Sequence, residues 1–145
     1  MLDFSINLPA SMERLMELSQ DFENLPKYLP DQLKSVKILE KKDGEIKTEE
    51  TLLFSTIIKK EITQETIHRK SQDNKLITDI ITGPAKGTKI ETVFIKTESG
   101  TDVSCNIDLK LDLKTKMLSP LIKKYYKMIL TSILYKMNNK ILEEN

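Results

Sequence analysis

The chain has 145 residues, 31% of them charged and 39% hydrophobic, with a formal net charge of +1. This composition fits one folded globular domain over residues 1–145, and the near-neutral charge, with only Arg14 and Arg69 as arginines, argues against nucleic acid as a partner. Cys105 is the single cysteine, no Asn-x-Ser/Thr acceptor occurs and no segment approaches 18 apolar residues, so a cytoplasmic protein without disulfide, export signal or membrane span is expected.

Leu2, Phe4 and Ile6 alternate with Asp3, Ser5 and Asn7, which predicts a short first strand ended by Pro9. Ser11 can cap a helix of two to three turns whose apolar face holds Met12, Leu15, Met16 and Leu18. Asp21 to Asn24 breaks that pattern, and 25–30 predicts a second small helix between Pro26 and Pro30.

Residues 35–113 are rich in Ile, Val and Thr, punctuated by Lys42-Asp43-Gly44, Gln72-Asp73-Asn74, Gly83 to Gly87 and Glu98-Ser99-Gly100. An antiparallel meander follows, with strands over 35–41, 45–56, 59–71, 75–82, 88–97 and 101–113. In the last of these Val103, Cys105, Ile107, Leu109, Leu111 and Leu113 alternate with polar residues, giving one buried and one wet face. The middle strands alternate less cleanly. Ile46, Thr48, Glu50, Leu52, Phe54 and Thr56 share one face, and Ile62, Gln64, Thr66 and His68 share another. Two readings stay open: half-buried strands with slips or bulges, or a concave face whose polar groups orient a ligand.

Ser119 and Pro120 open a helix that no Gly or Pro interrupts through Asn145. At about 100° per residue, Leu121, Ile122, Tyr125, Met128, Ile129 and Ser132 form one arc. Leu130, Ile133, Leu134, Met137 and Ile141 form an adjoining one. This is wider than the apolar stripe that one sheet face requires. The small helices, a ligand or another subunit would cover the excess.

Leu8-Pro9-Ala10-Ser11, Asp21 through Pro30 and Val36-Lys37-Ile38-Leu39, in this order, resemble the START-like (SRPBCC) superfamily, in its polyketide cyclase/dehydrase and lipid-transport branch, which includes coenzyme Q-binding proteins. The resemblance covers the whole chain. It implies an α+β helix-grip fold: a seven-stranded antiparallel curved sheet wrapped around a long C-terminal helix, with two short helices between strands 1 and 2. It also implies a cavity between sheet and helix, reached near the small helices and the strand-connecting loops, where Tyr28, Leu29 and Gly83 to Gly87 would lie at the mouth. Expected cavity-lining residues are Tyr28, Leu29, Phe54, His68, Phe94, Leu121, Ile122, Tyr125, Met128 and Ile129.

Catalytic chemistry has few candidates. His68 is the sole histidine, so no histidine-based metal site or cofactor is expected; Cys105 reads as a buried, inert thiol. Glu49, Glu50, Glu61 and Glu65 read as solvated strand carboxylates. From Lys114 onward seven lysines stand against Glu143 and Glu144, a basic edge that would permit at most transient contact with a membrane surface. The scarcity of His, Cys and Arg favours holding a hydrophobic small molecule, such as a lipid, quinone or polyketide, over transforming it. Two alternatives stay open: a cyclase or dehydratase acting in the same cavity, and an interaction module using the last helix. The protein is expected to be a monomer or weak homodimer.

Overall fold

The computed structural model describes residues 1–54 and 61–144. In chain order these form β1 (Leu2–Leu8), α1 (Met12–Ser19), a 3-10 helix (Phe22–Tyr28), β2 (Leu33–Lys42), β3 (Glu45–Leu53), β4 (Glu61–Ser71), β5 (Lys75–Ile80), β6 (Lys89–Thr97), β7 (Gly100–Asp108), a short 3-10 turn (Lys116–Leu118) and α2 (Ser119–Glu143). The seven strands make one antiparallel sheet, ordered β1-β7-β6-β5-β4-β3-β2. Its concave face grips α2. This is the helix-grip architecture expected from the sequence. The expected ends of two strands at Thr56 and Lys59, and of the last helix at Asn145, lie outside the described residues.

Local chemistry explains most of the boundaries. Asp43 (φ 50°) and Gly44 (φ 77°) supply the two positive φ angles of a tight β2–β3 hairpin turn. Ser11 caps α1 by accepting from the Arg14 amide at 3.3 Å. The second small helix differs from expectation: it begins at Phe22 and is 3-10 throughout, with Pro26 inside it. Its i→i+3 bonds, such as Asn24 N–H to the Asp21 carbonyl, build the turn that Asp21 to Asn24 would otherwise break. Register shifts at Leu33/Ser35 and Ile38/Glu40 bend the edge strand β2.

β7 is shorter than its alternation suggested. The inward positions Thr101, Val103, Cys105 and Ile107 are buried, but the strand stops at Asp108, where the ladder partners run out, β1 beginning opposite Ile107 and β6 opposite Asp108. Leu109 and Leu111 still pack inward, whereas Leu113 is 88% exposed.

The core has two parts. The larger runs from α1 and the 3-10 helix across the sheet to the C-terminal half of α2 and includes Leu8, Leu15, Phe22, Phe94, Val103, Ile133 and Met137. The smaller, around Ile80, Ala85, Ile107, Ile122 and Tyr126, closes the end at the start of α2. Polar pins tie these layers together. Asn138 is buried on α2 and accepts from the Ala10 amide at 2.9 Å, while Thr101 donates to the Ala10 carbonyl at 2.8 Å. Arg14 pairs with Glu144 through three hydrogen bonds of 3.3, 2.8 and 2.6 Å, joining α1 to the end of α2.

Gly100 opens β7 against the β1–α1 corner. A Cβ there would stand 2.1 Å from the Leu8 carbonyl oxygen and 2.7 Å from the Pro9 Cα, both backbone atoms that cannot move aside cheaply. Gly100→Ala is therefore expected to destabilise the fold by about 3 kcal/mol, read as a fall of about 10 °C in Tm. An unchanged Tm would show that the corner is not tightly packed.

Candidate functional site

β3 and β4 pair from Glu45 opposite Arg69 to Leu53 opposite Glu61 without a register shift. The two mixed faces of the sequence thus become one surface, with Ile46 opposite His68, Thr48 opposite Thr66, Glu50 opposite Gln64 and Leu52 opposite Ile62. His68 continues this row to Thr78 on β5, and Thr78 to Ile90 on β6. In front of it lies a cavity of about 220 Å³ between the sheet and α2. Its apolar walls include Leu33, Leu76, Phe94 and Cys105 from one side and Ile129, Ile133 and Met137 from α2. Gln20, Leu25, Gly44 and Lys70 border it where solvent reaches, so its mouth lies beneath the small helices and beside the β2–β3 turn.

One wall is polar and internally bonded. The His68 Nε2 lies 2.9 Å from both the Thr48 and Thr66 hydroxyls and 3.6 Å from Glu50 Oε2, and its Nδ1 shares a 2.8 Å hydrogen bond with Thr78. Gln64 donates to Glu50 Oε1 at 2.9 Å, and the Thr66 hydroxyl donates to Glu50 Oε2 at 3.1 Å. The Phe22 ring stacks on the imidazole at 4.2 Å between centroids. The His68 and Glu50 side chains are only 12% and 15% exposed.

Burial pushes the Glu50 carboxyl upward, but the facing His68 imidazole 3.6 Å away and hydrogen bonds from Gln64 and Thr66 hold it below the ordinary carboxylate range. Tyr126, on α2 beside this group, has its phenol pushed well above its usual range by burial and by the Glu50 charge. Burial raises the Cys105 thiol to about 11, so it is inert as a nucleophile. Among the described residues no three His, Cys, Asp or Glu side chains cluster in a way that could hold a metal ion.

The ten expected lining residues separate into three groups. His68, Phe94 and Ile129 face the cavity. Tyr28, Leu29, Phe54, Ile122 and Tyr125 are buried in the surrounding core rather than on the wall. Leu121 and Met128 point outward. The buried face of the helix is rotated from the expected arc: Tyr125, at the middle of that arc, sits at the edge of the buried face, where it donates to the Leu53 carbonyl at 2.5 Å and packs against Phe54. The buried face centres on Tyr126, Ile133 and Met137, and it shares Ile129 with the expected arc. No residue of the Gly83 to Gly87 loop lines the cavity, and Ala85 is buried in the smaller core cluster. Glu50, Gln64, Thr48 and Thr66, which the sequence placed on mixed strand faces without entering them among the lining residues, form the polar wall, and Thr78, Phe22 and Tyr126, which the sequence reading missed, complete the wall and roof. Glu50 in particular is no solvated carboxylate. The available signal was the polar stretch on the β3 and β4 faces, which becomes one site only when the strands are in register.

The depressed Glu50 pKa fixes the sign of a pH effect. Its ionised form is favoured in the folded state, so its contribution is complete above the unfolded carboxylate value, about 4.3, and is lost as pH falls through the lower folded value. Glu50→Gln is expected to cost about 1–3 kcal/mol at neutral pH and to flatten the loss of stability below about pH 4. Urea melts of both proteins across that range measure it; parallel stability curves would remove Glu50 as the titrating group.

Solved structures show the same fold at low identity. A protein from Thermus thermophilus shares 18% identity, covering 99% of this chain and 98% of its own, with a TM-score of 0.78. A START superfamily protein from Mycobacterium smegmatis shares 15%, covering 99% and 98%, also at 0.78. An aromatase/cyclase from a Streptomyces species shares 11%, covering 97% and 94%, at 0.75. No curated protein gives a significant sequence match. The model of the family described as polyketide cyclase / dehydrase and lipid transport matches residues 8–139, and with the grip of the curved sheet on α2 this establishes that the chain belongs to that START-like family.

Proposed function

We propose that the protein binds a compact, largely apolar molecule between the sheet and α2, with a hydroxyl or amine of that molecule directed at the Glu50–His68 wall. The observation that carries this reading is an apolar cavity with one shielded, hydrogen-bonded polar wall. Apolar lining with a few placed polar groups is the usual composition of a small-molecule site. A cavity of about 150 Å³ accommodates benzene, so about 220 Å³ suits a molecule of one or two rings and not a long acyl chain.

Burying about 200 Å² of such a ligand gains about 5 kcal/mol, short of the roughly 8 kcal/mol that micromolar affinity requires, before association costs are counted. The polar wall therefore has to contribute. Glu50 Oε1 accepts from Gln64 and keeps a second lone pair for a ligand donor.

A second reading, proton transfer in a cyclase- or dehydratase-type reaction, is favoured by one observation: the wall holds a carboxylate and an imidazole side by side. Against it, both imidazole nitrogens already face threonine hydroxyls and Phe22 covers the ring, so His68 has no free edge toward a substrate. A carrier or sensor is the better fit.

Native mass spectrometry of the purified protein, followed by calorimetric titration with a panel of small aromatic and quinone ligands, tests binding. Ile129→Trp, which fills the cavity, is expected to weaken any ligand at least tenfold while keeping Tm. Glu50→Gln is expected to weaken hydroxyl-bearing ligands selectively, by about tenfold, corresponding to one charge-assisted hydrogen bond. Absence of any co-purifying or titrating ligand sinks the carrier reading. Turnover of an enolisable ligand that Glu50→Gln abolishes would establish the second.

A further inference from the structure

The outward face of α2 should be its polar one, yet its crest is apolar. Leu121, Met128, Tyr135 and Leu142 recur every seven residues and are 49%, 38%, 46% and 43% exposed. At about 100° per residue they fall within a narrow stripe opposite Tyr126, Ile133 and Met137, which face the core. Ahead of the helix, Leu113 and Met117 are two further exposed apolar side chains, at 88% and 91% exposure. Between Asp112 and Glu143 the chain carries seven lysines and no acid. Lys124 and Lys136 flank the stripe in exposed positions, Lys114 and Lys116 are sequence neighbours of Leu113 and Met117, and Lys27 of the 3-10 helix borders a groove with Lys136, Lys140 and the single acid Glu143.

We propose that this face docks the protein on an anionic lipid bilayer, with α2 lying in the plane of the interface. A helix with exposed apolar side chains between lysines is the pattern of interfacial docking, where apolar insertion and attraction to anionic headgroups add. A second copy of the chain fits less well. A helix pair needs two apolar positions per heptad, and the second here holds Lys124, Thr131 and the inward-turned Asn138. One line of half-exposed side chains also falls short of the roughly 800 Å² per partner of a stable interface. The surface is separate from the cavity, so this proposal stands apart from the ligand.

The test is flotation of the full chain with vesicles of phosphatidylcholine alone or with about 30% phosphatidylglycerol. Binding is expected only to the anionic vesicles, falling steeply with salt because each interfacial lysine contributes about fivefold. The crest variant M117D/M128D/Y135D is expected to lose at least tenfold in partitioning, and the rim variant K116E/K124E/K136E more. All six positions are exposed, so both variants should melt like the parent. Leu39→Asp, an exposed apolar site on β2, and the cavity-filling Ile129→Trp should bind as the parent does. Absence of anionic-vesicle binding, or binding that the crest variant retains, overturns the proposal. So does a dimer in sedimentation that the crest variant dissolves without any vesicle binding by the parent.

Discussion

The rotation of α2 about its own axis is held by two hydrogen bonds far apart along it, Tyr125 to the Leu53 carbonyl and Asn138 from the Ala10 amide. Each joins the helix to a different edge of the grip: the end of β3, and the corner between β1 and α1. Apolar burial alone cannot choose the rotation, because the helix is apolar over more than half its circumference and several settings would bury similar area. A buried polar group left unbonded costs roughly 1–3 kcal/mol, so a wrong rotation is penalised at both pins. From that setting follow the cavity wall of Ile129, Ile133 and Met137, the position of Tyr126 near Glu50, and the outward crest.

The polar wall depends on the same constraint in a second way. Glu50 and His68 are carried by central strands and shielded from water by Phe22 and α2, and such groups are tolerable only when nearly every donor and acceptor has a partner. Thr48, Thr66, Thr78 and Gln64 supply those partners from β3, β4 and β5. A wall satisfied in advance is rigid, and rigidity suits selective holding: a ligand donor meets a fixed acceptor with little reorganisation. Under the proposed function, saturation of the imidazole is what favours holding a ligand over transforming it.

α2 thus separates two apolar environments, an enclosed one over the sheet and an open one on its outer surface. No helix in the described residues is long and apolar enough to cross a membrane, and exposed lysines lie beside the crest. Under the two proposals one helix would serve both as wall of the binding cavity and as point of contact with lipid. That arrangement would place a ligand one helix diameter, roughly 10 Å, from the headgroups.

Much of the fold was legible from local chemistry. Alternation marked β1 and β7, Asp43-Gly44 marked a hairpin, Ser11 marked the start of α1, and the uninterrupted stretch after Pro120 marked α2. These features depend on neighbours in the chain, so composition and spacing suffice to read them. The site was less legible because its members meet across strands. His68 could be singled out as the one histidine, but Glu50 looked like any strand carboxylate until the β3–β4 register set it beside Gln64, Thr66 and His68. A one-residue slip would send that whole set to the other face. The helix carried a parallel ambiguity: the sequence specified an apolar surface too broad for one sheet, and only the pins at Leu53 and Ala10 decided which part faces the cavity and which faces out.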